Sequence, residues 1–114
     1  MKKNAHLWTH IVLDLEGCPK PKVEKVPEVR KILQQTAREA ELSVISENFH
    51  QFKPTGVTGV LLLKESHISI HTWPEHNIAA IDIFCCNKKK ASKAYRSALK
   101  QFKALKVKKK VVLR

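Results

Sequence analysis

Between Lys64 and Asn87 the chain gathers Ser66, three histidines (His67, His71 and His76), Trp73, Asp82 and the adjacent thiols Cys85 and Cys86. Three chemistries suit such a set. The first is metal binding by His67, His71, His76, Cys85 and Cys86. Histidines at i and i+4 share one face of a helix in zinc enzymes. Here Ile68, Ile70 and Pro74 make the segment a strand, and no Cys-x-x-Cys occurs, so no metal is expected. The second is nucleic-acid binding through a basic segment. Aromatics make up 6% of the residues and no Gly-aromatic signature marks a stacking platform, so no nucleic-acid partner is expected and a non-enzymatic basic nucleic-acid-binding module is kept only as the more distant alternative. The third is nucleophilic chemistry by a serine or cysteine beside a histidine. Against all three stands packing, because strand histidines and cysteines can be buried and hydrogen-bonded.

The chain of 114 residues is long enough for one domain, and we read residues 1–114 as such. No apolar run approaches the ~18 residues of a membrane span, so no membrane partner is expected. Lys2 and Lys3 are followed by Asn4, His6, Thr9 and His10, not by a secretory apolar core. The three cysteines, two of them adjacent, make a poor disulfide framework and fit a reducing cytoplasm. Charge is segregated: residues 83–114 carry twelve Lys/Arg and no acid, whereas residues 1–82 are balanced at ten and ten. Those lysines follow the outer face of an amphipathic helix and a tail, which reads as a solvated surface.

The elements that must position the central residues follow from hydrophobic period. Leu7–Leu15 is β-rich and is ended by Gly17-Cys18-Pro19. Pro27 opens a helix to about Glu41, with Val29, Ile32, Leu33, Thr36, Ala37 and Ala40 at helical spacing. Leu42–Phe52 and Val57–Leu63 are strands about the turn Pro54-Thr55-Gly56. Ser66–Thr72 alternates with period two, and Ala79–Cys86 sets Ile81, Ile83 and Cys85 against Asp82, Phe84 and Cys86. A second helix spans Ala91–Phe102, and Val107–Leu113 is a lysine-bearing strand suited to an edge. The order β-α-β-β-β-β-α-β predicts an α+β sandwich: a mainly antiparallel sheet with two helices on one face.

The strings Glu65-Ser66-His67-Ile68-Ser69-Ile70-His71-Thr72-Trp73-Pro74-Glu75 and Ala79-Ala80-Ile81-Asp82-Ile83-Phe84-Cys85-Cys86 resemble the signature of the small prokaryotic S-adenosylmethionine decarboxylases. The resemblance extends upstream through Phe49-His50-Gln51-Phe52 and Pro54-Thr55-Gly56-Val57-Thr58-Gly59-Val60, and more weakly to His10–Cys18. It implies a pro-enzyme that cleaves itself between Glu65 and Ser66 into chains 1–65 and 66–114. Ser66 would attack the carbonyl of Glu65, and a covalent pyruvoyl group would be left where Ser66 stood, with no pyridoxal phosphate and no metal. That group would form a Schiff base with the α-amine of S-adenosylmethionine. The product is the aminopropyl donor for spermidine synthesis.

The resemblance further implies a role for His71 in proton transfer during processing and for the Thr58 hydroxyl, where the family usually has serine. Cys86 would be the proton donor in decarboxylation, Glu75 would hold the ribose hydroxyls and Phe52 would stack on adenine. A homodimer of processed protomers with sites near the interface is the implied assembly. Trp8-Thr9-His10 and Glu16 depart from the family's usual residues, and the same scaffold serves arginine and ornithine decarboxylases, which remain the alternative substrates. Cys85 reads as a small buried residue, Asp82 and Trp73 as structural, and His50, His67 and His76 receive no role. On one uninterrupted strand Ser66 and His71 would face opposite ways, so a bend near Ser66 is required if they are to meet.

Overall fold

The computed structural model describes residues 6–114; Lys2 and Lys3 lie outside them. Six strands form one antiparallel sheet: β1 (Thr9–Glu16), β2 (Val44–Gln51), β3 (Val57–Leu63), β4 (Ser66–Trp73), β5 (Ile78–Cys85) and β6 (Lys106–Leu113). Their order across the sheet is β2-β3-β4-β5-β1-β6. Consecutive strands β2 to β5 form a meander, and β1 returns to pair with β5 along its whole length. Two helices, α1 (Val26–Glu39) and α2 (Lys88–Gln101), supply the two long connections and cover one face. The α+β arrangement read from the sequence is the one observed.

The core lies between that face and the helices. Leu13, Leu15, Leu61, Ile68, Ile70, Ile81, Ile83 and Phe102 are fully buried there, each contributing about 1.5–3 kcal/mol over an exposed position. In α1 the buried residues are Val29, Ile32, Leu33, Thr36 and Ala37. The helix begins one residue before Pro27, which occupies its first turn, where a missing N–H costs nothing. Helix α2 starts three residues earlier than its apolar stripe suggests. The Asn87 side chain accepts a hydrogen bond from the Lys90 amide at 3.0 Å and caps the helix. Ser97 is buried against Thr36 of α1, and Gln101 bonds both hydroxyls at 2.8 and 3.3 Å. This polar seam is satisfied from within.

Among the described residues the opposite face carries no helix. It presents Thr58, Val60 and Leu62 of β3, His67, Ser69, His71 and Trp73 of β4, and Ala80, Asp82 and Phe84 of β5. Val60, Leu62, Trp8 and Trp73 are among its exposed apolar groups. Strand β6 is an edge, as its lysines suggested, and Lys106, Lys108, Lys109 and Lys110 are exposed on it. Lys109 lies 4.4 Å from the centroid of the Tyr95 ring and Lys108 is 3.8 Å from Glu16.

Candidate active site

The Lys64-Glu65 turn joins β3 to β4, and Ser66 is the first residue after it. Ser66 has φ 140°, a region that L-residues rarely adopt and that costs about 1–3 kcal/mol. The surroundings over-determine this conformation. Register across β4 and β5 sets Ser66 opposite Cys85, which brings Cys86 beside Glu65. The Cys86 amide donates to the Glu65 carbonyl oxygen at 3.2 Å. That donor polarises the carbonyl of the Glu65-Ser66 bond and lies where an oxyanion would need one.

The Glu65 side chain is also held. Its carboxylate accepts the Ser43 amide at 3.0 Å and lies 3.6 Å from Lys90 of α2. The Ser43 hydrogen bond, aided by the Lys90 charge, keeps the carboxyl below the usual carboxylate range. Cys86 is exposed, whereas Cys85 is fully buried with its Sγ 3.4 Å from the Asn87 amide. Burial pushes the Cys85 thiol up. The facing of the two thiols thus follows strand alternation.

A second group of side chains lies on the open face at the far end of β4. His71 pairs with Thr58 across β4 and β3, and Thr58 Oγ1 is 2.9 Å from His71 Nδ1. Both line a cavity of about 330 Å³ together with Phe52, Thr55, Gly56, Thr72, Trp73 and Glu75. Its apolar walls with a few convergent polar groups suit a small ligand. Phe52 and Trp73 are 48% and 45% exposed, so neither is a core residue; Trp73 lines the cavity, a departure from its reading as structural.

The cavity floor is tied down by buried polar contacts. Thr72 Oγ1 accepts the Val57 amide and donates to the Val23 carbonyl, each at 2.8 Å. Glu75 sits on a short 3-10 turn, Pro74–His76, whose carbonyl at Pro74 accepts Lys20 Nζ at 2.9 Å. Asn77, with φ 56°, ends that turn and donates to the Cys18 carbonyl at 2.8 Å. Gly59 has a steric reason: a Cβ there would clash with the Phe49 ring.

The two groups do not meet within the chain. Strand β4 runs unbroken from Ser66 to Trp73. Five residues at ~3.3 Å each put Ser66 and His71 roughly 16 Å apart. The strained residue turns the chain at Ser66 without closing that distance. Among the residues given no role, His67 contacts Ser66: its Nδ1 is 3.3 Å from the Ser66 hydroxyl. His10 lies 3.7 Å from Asp82, and both flank Phe84 on the open face. Neither contact has a signature in the spacing of the residues alone. Among the described residues no cluster of three or more His, Cys, Asp or Glu side chains could hold a metal ion.

Comparison with known proteins places this architecture in a class of small decarboxylases. The family model described as S-adenosylmethionine decarboxylase matches residues 9–114. An S-adenosylmethionine decarboxylase proenzyme of Persephonella marina is 49% identical over 109 residues, covering 95% of this chain and 82% of that protein. The proenzyme of Archaeoglobus fulgidus is 41% identical over 95 residues, 82% of this chain and 85% of the relative. The crystal structure of the adenosylmethionine decarboxylase from Aquifex aeolicus superposes with a TM-score of 0.91 at 40% identity, covering 96% of this chain and 91% of that one. The chain belongs to the S-adenosylmethionine decarboxylase family.

Proposed function

We propose that this protein is a self-processing decarboxylase of S-adenosylmethionine, cleaved between Glu65 and Ser66, with Ser66 as the origin of a covalent pyruvoyl group. The observation that carries the reading is the Glu65 carbonyl, polarised by the Cys86 amide at 3.2 Å beside a strained Ser66. The residues present fit the group, since a serine hydroxyl and an activated carbonyl adjoin at an accessible turn. When formed, the pyruvoyl group supplies a carbonyl able to take up the electron pair released with carbon dioxide.

The chain's own residues divide the remaining work. Ser66 Oγ attacks the Glu65 carbonyl carbon, and the Cys86 amide steadies the charge that develops on oxygen. The Cys86 thiol, exposed one residue past the register partner of Ser66, delivers a proton to the substrate carbon. Thr58 and His71 form a hydroxyl–imidazole pair able to move a proton during processing. Glu75 accepts hydrogen bonds from the ribose hydroxyls, and the exposed Phe52 ring stacks on the base. A nucleoside gives both residues a use, and the relatives' names point the same way, away from arginine or ornithine.

Two protomers are needed to assemble this set. Two open faces packed with their β4 strands running oppositely bring each Ser66 end to the partner's Thr58–His71 end, and two-fold symmetry then makes two equal sites. The exposed Val60, Leu62, Trp8 and Trp73 on that face favour burial against a second copy. Three free thiols support a reducing, cytoplasmic setting. The test is intact mass followed by turnover. Purified protein is expected as chains 1–65 and 66–114, releasing carbon dioxide from carboxyl-labelled S-adenosylmethionine far faster than from arginine or ornithine. An intact, unmodified wild-type chain would overturn the reading.

A further inference from the structure

Ser66 must lose its hydroxyl proton to become a nucleophile, and a serine at its free pKa is a weak one. His71, the histidine assigned to processing, is bonded to Thr58 at the other end of β4 in the same protomer. A nearer acceptor exists. His67 Nδ1 lies 3.3 Å from Ser66 Oγ, the nearest hydrogen-bonding contact that the hydroxyl makes among the described residues. That distance is loose, as contacts of this kind are before the reacting atoms close up.

The ring of His67 is held in place. It stands on the open face between Leu62 of β3 and Phe84 of β5, its register partners, with its centroid 5.6 Å from the Phe84 ring and nearly perpendicular to it. Phe84 is itself packed by Trp8 and His10 at centroid distances of 5.4 and 5.3 Å, so the platform under His67 is built from β5, β1 and the residue just before β1. The φ of 140° at Ser66 departs from the extended backbone on which alternation would send its hydroxyl toward the helices, and it re-aims Ser66 relative to the Glu65 carbonyl, while the hydroxyl stays in contact with the neighbouring imidazole.

We infer that His67 is the general base of self-cleavage. It takes the proton from Ser66 Oγ as that oxygen bonds to the Glu65 carbonyl carbon. The peptide C–N bond then breaks, and the imidazolium returns the proton to the departing Ser66 nitrogen, leaving an ester and a free amine. Atoms and charge balance without a co-reactant. His71 is left for the later proton transfer that opens the ester. The inference rests on the self-processing reading above, and the two can fail separately.

The experiment is pulse–chase cell-free synthesis of the full chain, with cleavage followed on denaturing gels and by intact mass. The arms are wild type, Ser66→Ala, His67→Ala and His67→Gln. Glutamine keeps size and can accept a hydrogen bond but cannot take the proton. Both His67 variants are expected to cleave at least about 100-fold more slowly than wild type, and added imidazole should accelerate His67→Ala but not Ser66→Ala. Cooperative melting checks folding, and His67→Gln carries the test if His67→Ala does not fold. Wild-type cleavage rates in His67→Gln would overturn the inference while leaving the function intact. A wild-type chain that never cleaves would overturn both.

Discussion

Thr58 Oγ1 and His71 Nδ1 are 2.9 Å apart at one end of the open face, and Ser66 occupies the opposite end of the strand that carries His71. Side chains separated by five residues of extended strand cannot act on one bond. The same separation becomes useful when a second copy is turned over onto the first, because each end then meets its complement.

Subunit mixing tests that arrangement directly. Ser66→Ala and His71→Ala are each expected to be inactive alone. Co-expressed, they form a mixed dimer in which one site keeps Ser66 from one chain and His71 from the other. Random pairing should then restore about a quarter of wild-type activity. Mixed dimers isolated by two tags and found wholly inactive would place the site within a single protomer.

The fold was legible to the extent that it depends on period. Strand β3 spans Val57–Leu63 as read, and the alternation that set Cys85 apart from Cys86 is the one in the sheet. What period cannot convey is which non-consecutive strands pair. The insertion of β1 between β5 and β6 places His10 beside Asp82, and nothing local in either strand announces it. Contacts made by backbone departures were hidden for another reason. His67 meets Ser66 at the start of β4, where Ser66 leaves extended geometry with φ 140°, and the Asn87 cap extends α2 past its apolar stripe.

The two adjacent thiols should separate cleavage from turnover. Cys86→Ala keeps the amide that polarises the Glu65 carbonyl, so the chain should still cleave. Turnover should fall by about 10²–10⁴, the range for loss of a general acid. Cys85→Ala trims a buried thiol and should cost about 1 kcal/mol of stability with turnover nearly unchanged. Equal kinetic damage from both substitutions would mean that Cys86 is not the proton donor.

Thiol chemistry gives an independent view of the same residues. Burial pushes the Cys18 thiol up to about 11 and also raises Cys85, so at pH 8 both hold very little thiolate. Cys86 is exposed. Iodoacetamide on the native Ser66→Ala chain should add one adduct at Cys86 quickly, and all three cysteines should react only after denaturation. Peptide mass mapping reads the outcome. Rapid native labelling of Cys85 would contradict its burial.

Acid should loosen the scissile turn. The Ser43 amide, with Lys90 behind it, lowers the Glu65 carboxyl, so its contribution is complete above the ordinary carboxylate value, near ~4.3, and is lost as pH falls through the lower folded value. Ser66→Ala supplies an uncleaved background. Against it, Glu65→Gln should lower the melting temperature at pH 7, and the gap between the two should shrink below pH 4. A gap independent of pH would assign the loss to shape, not charge.

The proposed function puts substrate choice at the other end of the face, where Glu75 and Phe52 line the cavity of about 330 Å³. Neither is given a proton to carry in processing, so both Glu75→Gln and Phe52→Ala should cleave at normal rates. Their effect should fall on binding. Loss of the charged acceptor should raise KM for S-adenosylmethionine by about tenfold, equivalent to one charge-assisted hydrogen bond of ~1.5 kcal/mol. Loss of the Phe52 ring removes a stacking surface of comparable value. A ligand with only the α-amino acid portion would feel neither change. Methionine amide, tested as a competitive inhibitor, should therefore bind wild type and both variants alike, whereas adenosine should lose affinity in both. Inhibition by adenosine that is the same in wild type, Glu75→Gln and Phe52→Ala would remove the two residues from the nucleoside site and reopen arginine and ornithine as substrates.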